Sequence, residues 1–161
     1  MFICNISAMI KITTEQIKKL RAKTRAGVMD CRQALEESNG DMKKAEAWLK
    51  KKGIESASKR AGRETTQGVI EVYSHADGKI VGIVELLCET DFAARTKEFK
   101  KLAHELAMQV AAMNPKNAKE LLKQPWIRDE KRTVDSLVKE VIGKTGENIV
   151  VKRIARFKLG E

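Results

Sequence analysis

Leu86-Leu87-Cys88-Glu89-Thr90-Asp91-Phe92-Ala93-Ala94-Arg95 is the stretch in which the chain changes from a β-type apolar run to helical composition. Thr90 suits an N-cap. Asp91 suits a first helical turn, where unpaired backbone N–H groups favour negative charge. Phe92 therefore falls at the tip of a strand-to-helix corner, a place that is usually exposed. An aromatic there can anchor a partner by filling its pocket, or it can fold back and cap the core. The local pattern leaves both placements open.

Upstream of the corner the apolar period is two. Val69-Ile70-Glu71-Val72-Tyr73-Ser74 and the run from Lys79 to Leu87 flank Ala76-Asp77-Gly78, which together predict a β-hairpin. The second strand is apolar at nearly every position, so it is expected to be central and covered on at least one face. Downstream, Thr96 can cap a long helix in which Phe99, Leu102, Ala103, Leu106, Ala107 and Val110 recur at helical spacing, ended by Asn114-Pro115. The charged segment from Lys116 to Lys131, with Pro125, reads as a connection with one helical turn. Thr133 opens another amphipathic helix, stopped by Gly143 to Gly146, and Asn148 to Leu159 reads as a strand that joins the hairpin. This order predicts an α+β core over residues 68–161, with a small three-stranded sheet made of the hairpin and the last strand.

The amino-terminal part reads as three short helices over residues 10–53. Thr13 and Gln16 have capping-box spacing, with Ile12 and Ile17 as the apolar staple around it. Asn39-Gly40 closes a second helix, Asp41 opens a third, and Ala45, Trp48 and Leu49 share a face of it until Gly53. Some forty residues bury little surface, so this bundle should be only marginally stable by itself. Residues 54–67 read as a linker that can be partly helical, and residues 1–9 as a disordered extension.

Composition narrows the chemistry. The chain has 161 residues, 42% hydrophobic and 34% charged but only 4% aromatic, so its core must be largely aliphatic. Lys and Arg number 32 against 22 Asp and Glu, and the excess is concentrated before Gly68. A basic surface of this kind suits nucleic acid or an acidic protein face. A basic RNA-binding protein is the alternative reading, drawn from Lys50-Lys51-Lys52 and Lys59-Arg60. Against it, these clusters lack the interleaved aromatics of RNA-binding modules. Cys4, Cys31 and Cys88 are widely spaced, which argues against a disulfide framework or a zinc site and suits a reducing cytoplasm. No apolar run reaches the ~18 residues of a membrane span. His75 and His104 are too few for most acid–base arrangements, and both read as surface residues. Gly143-Lys144-Thr145-Gly146 lacks the upstream glycine of a phosphate loop. No covalent catalysis, metal or cofactor is expected.

Two stretches carry a family resemblance, and a third agrees with them. Residues 20–35, from Leu20-Arg21-Ala22-Lys23-Thr24-Arg25 through Val28-Met29-Asp30-Cys31 to Leu35, with Asn39-Gly40-Asp41 after them, resemble the amino-terminal signature of translation elongation factor Ts. Glu89-Thr90-Asp91-Phe92 resembles that family's Thr-Asp-Phe-Val motif, and Gly146-Glu147-Asn148-Ile149-Val150-Val151 its closing helix-to-strand passage. The likeness runs from Ile10 onward, with the blocks in the family's order.

The resemblance implies a nucleotide exchange factor that binds elongation factor Tu with GDP. The three helices would be a ubiquitin-associated-like domain docking on the GTPase through Arg21, Val28 and Met29. At the corner, Thr90 and Ala93 would flank the invading Asp91 and Phe92, whose intrusion disturbs the site holding Mg²⁺ and the phosphates. A direct nucleic-acid or membrane partner is not implied. Ala93 replaces the family's usual valine, Val28 stands where methionine is common, and the segment between Pro115 and Pro125 is short where many members carry an insertion. The chain thus resembles a short form. Short forms in the family can pair as homodimers through the core sheet, and Ile149, Val151, Ala155, Phe157 and Leu159 read either as such a face or as intramolecular core.

Overall fold

The computed structural model describes residues 12–161, and the extension expected over residues 1–9 lies outside them. The chain divides into two compact units, with the boundary between Lys52 and Gly53.

The first unit contains α1 (Thr14–Thr24), α2 (Val28–Glu37) and the start of α3 (Met42–Arg60). Its caps at Thr13, Asn39-Gly40 and Asp41 are those the sequence predicts. The Gln16 N–H donates to Thr13 Oγ1 at 3.2 Å, and the Thr13 N–H donates back to Gln16 Oε1 at 2.9 Å. The Gly40 N–H reaches the Leu35 carbonyl at 2.8 Å past a left-handed Asn39, which closes α2. Asp41 Oδ1 accepts the N–H groups of Lys43 and Lys44. The bond from Lys44, foremost, holds its carboxyl below the usual aspartate range. Leu20, Cys31, Ala34, Leu35, Ala45 and Leu49 form the core, with Trp48 partly buried against it.

Two glycines that read as helix stops lie inside helices. α3 passes through Gly53 and runs on to Arg60, so the first half of the segment read as a linker is helical. α7 (Val134–Thr145) passes through Gly143 and ends on left-handed Gly146. A Cβ placed on Gly143 would stand 3.0 Å from the Gly53 Cα, so the two bare backbones touch. That contact offsets the roughly 1 kcal/mol a glycine costs in a helix interior. One turn further on, Ala57 is buried in the core of the second unit.

The second unit is built on an antiparallel sheet in the order β1 (Gln67–His75), β2 (Ile80–Cys88), β5 (Ile149–Lys158). β2 is central, as its apolar run predicts. Val84, Leu86 and Cys88 face a core made with Phe99, Leu102, Leu106 and Val110 of α5 (Lys97–Met113) and with α7. α5 lies very close to the sheet at Gly82, where a Cβ would meet the Ala107 carbonyl oxygen at 2.2 Å. Beside it, Arg156 Nε donates to the Ala111 carbonyl at 3.0 Å.

A bulge opposite Glu85/Leu86 changes which side chains of β5 face the core. Leu86 pairs with Val151 but Glu85 with Arg153, leaving Lys152 as the extra residue. Ile149 and Val151 are therefore buried opposite Cys88 and Leu86. Ala155 and Phe157 pair with Ile83 and Val81 on the other face, and Leu159 lies beyond the strand. The five residues read as one face are split by that single insertion.

The segment after α5 holds more structure than one helical turn. α6 (Ala118–Lys123) is followed by a small hairpin, β3 (Pro125–Trp126) with β4 (Asp129–Thr133). Fully buried Gln109 of α5 holds it. Its Nε2 donates to the Pro125 carbonyl at 3.0 Å, and its Oε1 accepts the Ile127 N–H at 3.0 Å. Glu105 adds a 2.7 Å ion pair to Arg128.

Candidate functional site

The corner after β2 is a one-turn helix, α4 (Asp91–Ala94), held between two threonine caps. Thr90 has extended backbone and its Oγ1 accepts the Ala93 N–H at 3.2 Å. Thr96 caps α5 by accepting the Phe99 N–H at 3.3 Å and donates its own hydroxyl to the Ala93 carbonyl at 2.7 Å. With Ala93 bonded at both ends, the rotational phase of the turn is set. Ala93 and Ala94 point into the core, and Phe92 is 79% exposed. Of the two placements open from the sequence, the structure adopts the outward one. Asp91 beside it pairs with Arg95 at 2.9 Å.

The base of the corner is tied to the start of β5. Glu147 accepts the Thr90 N–H at 3.0 Å and the Thr90 hydroxyl at 2.6 Å. Reciprocally, Glu89 accepts the Asn148 N–H at 2.6 Å, and it stands 3.4 Å from the Arg63 guanidinium. Asn148 Nδ2 donates to the Arg63 carbonyl at 2.9 Å. Beneath them the Cys88 thiol donates to the Thr90 carbonyl at 3.1 Å. Burial, and then the negative charge of Glu147, push that thiol above its ordinary pKa.

The remaining site residues expected from the sequence lie in the first unit. Val28 and Met29 form the first turn of α2 and are exposed, Met29 to 71%. Glycine precedes them as the cap, where a Cβ would press on Asp30 Oδ2 at 3.2 Å. Arg21 is exposed on α1 and lines a shallow cleft of about 530 Å³ with Lys18, Ala22 and Arg25.

Two expected contact residues are placed differently. Ala93 is only 5% exposed, because the cap turns it inward, and it offers no surface to a partner. The Thr90 hydroxyl is occupied on both sides by Ala93 and Glu147. Of the four corner residues expected from the sequence, Asp91 and Phe92 are the ones whose side chains reach solvent. Glu89 and Glu147 stand inside the two quoted motifs, but nothing local in the sequence signals the bonds each makes to the other motif's segment. Among the described residues, no group of His, Cys, Asp and Glu is placed to hold a metal ion, and no helix is long and apolar enough to cross a membrane.

Comparison with known proteins agrees with these motifs. Residues 89–161 match the family described as Elongation factor TS, and residues 1–57 match that described as Elongation factor Ts, mitochondrial, N-terminal. The chain is 41% identical over 199 residues to Elongation factor Ts of Rippkaea orientalis, covering 95% of this chain and 80% of the relative. It is 38% identical over 197 residues to that of Coprothermobacter proteolyticus, covering 94% and 100%. With that of Nitratidesulfovibrio vulgaris the identity is 39%, covering 92% and 97%. Each alignment is longer than this chain, so the relatives carry residues within the matched span that are absent here.

Proposed function

The chain belongs to the elongation factor Ts family of translation elongation factors, and from that premise we propose that it is a guanine nucleotide exchange factor. It binds elongation factor Tu carrying GDP and speeds release of the nucleotide. The first unit docks through Arg21, Val28 and Met29. Asp91 and Phe92 enter the nucleotide-binding domain and disturb the Mg²⁺ and phosphate site. No bond is made or broken covalently, no cofactor of its own takes part, and the work is done in the cytoplasm. The observation that carries this reading is Phe92, an aromatic ring left in water on a corner whose N-cap is bonded to both Glu147 and Ala93.

Energetics set what the corner must supply. A 10⁴-fold acceleration needs roughly 5.5 kcal/mol of preference for the loosened GTPase over the closed one. Burial of one phenylalanine contributes about 1.5–3 kcal/mol. Val28 and Met29 are the apolar contacts available to make up part of the difference, and Arg21 a polar one. By linkage, a factor that weakens GDP binding is itself weakened by GDP to the same extent, so the complex turns over.

The short form also bears on assembly. We propose that two copies pair through the open face of the core sheet, where Ile70, Val72 and Phe157 are exposed. The exchange reading is tested by release of labelled GDP from elongation factor Tu. The wild-type chain should accelerate it, and Phe92→Ala should do so far less. A folded wild-type chain with no effect on release overturns the reading.

A further inference from the structure

We propose that Glu147 is a positioning residue for exchange, acting through Phe92 by holding the base of the corner that presents the ring. The inference rests on the exchange reading above. An anchoring side chain is effective when it is held ready, since ordering it at the moment of binding subtracts from the affinity it can give. α4 has only four residues and cannot hold itself, because a single helical turn is unstable alone. Thr90 and Thr96 hold its two ends, and Glu147 holds Thr90 through both its N–H and its hydroxyl. The carboxylate uses one oxygen on the Thr90 N–H at 3.0 Å and the other on the Thr90 hydroxyl at 2.6 Å.

The second bond does more than tie two segments. Donating its hydrogen to Glu147 leaves the Thr90 oxygen lone pairs directed elsewhere, and one accepts the Ala93 N–H at 3.2 Å. Glu147 thereby sets both the placement of the cap and the orientation of its hydroxyl. Bonds to an ionised acceptor are about twice as strong as neutral ones. The reciprocal bond from the Asn148 N–H to Glu89 pins the segment that carries Glu147, so the clamp resists sliding in either direction. Glu147 is half-buried, Phe92 lies two residues beyond Thr90, and the carboxylate acts on the ring only through that cap.

The test is a double-mutant cycle on GDP release from elongation factor Tu at saturating full-length factor. Glu147→Ala is expected to lower the maximal rate about tenfold, with the half-saturating concentration changed by less than about threefold. In the Phe92→Ala background the same change is expected to lower the rate no further, because its effect runs through the ring. A general loss of structure would lower the rate in both backgrounds. Glu147→Gln, which keeps the volume and one acceptor oxygen, is expected to lose about threefold and serves where the alanine variant does not fold. Wild-type rates in the Glu147 variants, or equal losses in both backgrounds, overturn the positioning role alone. A wild-type chain that leaves release unchanged overturns it together with the exchange reading.

Discussion

Leaving the Phe92 ring in water forgoes about 1.5–3 kcal/mol that its burial would return, and the free chain recovers little of it with the side chain 79% exposed. Phe92→Ala should therefore change folding stability by less than about 0.5 kcal/mol, as surface substitutions usually do. The maximal rate of GDP release, by contrast, should drop about tenfold to a hundredfold, the transition-state equivalent of the buried ring. Parallel urea melts and release kinetics separate the two, and a matched loss of stability would show the ring to be core. Gly82 makes the opposite case. A methyl group there would sit 2.2 Å from the Ala107 carbonyl and 2.8 Å from the Ala111 nitrogen, both backbone atoms that cannot swing aside. Gly82→Ala should cost at least the upper end of the ~1–3 kcal/mol typical of overpacking, read from urea denaturation.

At the scale of elements, the glycine contact between α3 and α7 gives an asymmetric prediction. A Cβ on Gly53 would lie 3.5 Å from the Gly143 Cα, an ordinary contact, whereas one on Gly143 would lie 3.0 Å from the Gly53 Cα. Gly53→Ala should stabilise by about 0.5–1 kcal/mol through helix propensity. Gly143→Ala should gain less or destabilise, since its neighbour must give way. Thermal melts of the two variants decide it, and an equal gain in both would show that the helices do not touch. The same pair explains where sequence reading failed. Glycine in a helical pattern reads as a stop, and only a partner 90 residues away in the chain makes it a continuation. Helices and strands with strong periods were legible, down to the Thr13, Asp41, Thr90, Thr96 and Thr133 caps. The β3–β4 hairpin was not, because Asp129-Glu130-Lys131-Arg132-Thr133 has no apolar alternation and its support is a buried glutamine on α5. Thr90, Asp91 and Phe92 could be singled out from local signals. Glu147 could not, for its bond to Thr90 spans 57 residues and follows no period.

For the whole molecule, the sheet sets what remains uncovered. One face of β1, β2 and β5 carries the core, while the other presents Ile70 at 67% and Phe157 at 64% exposure, with the Glu85–Arg153 ion pair between the strands. Pairing of two such faces would remove these side chains from water. Sedimentation of the wild-type chain should then show a dimer, and Phe157→Asp or Val72→Asp should shift it to monomer by placing a charge in an apolar contact. A wild-type monomer at high concentration would dispose of the pairing. The bulge at Lys152 is what adds Phe157 to this surface, since without the extra residue the alternation of β5 would send it toward α5.

Cys88 sits under the corner, fully enclosed, with its sulfur kept in the unreactive protonated form by burial and by Glu147. An alkylating reagent can reach it only in those moments when the surroundings part, so its labelling rate is a built-in clock for local opening. Located by peptide mapping, that clock would run on the unmodified chain, with no dye attached near Phe92.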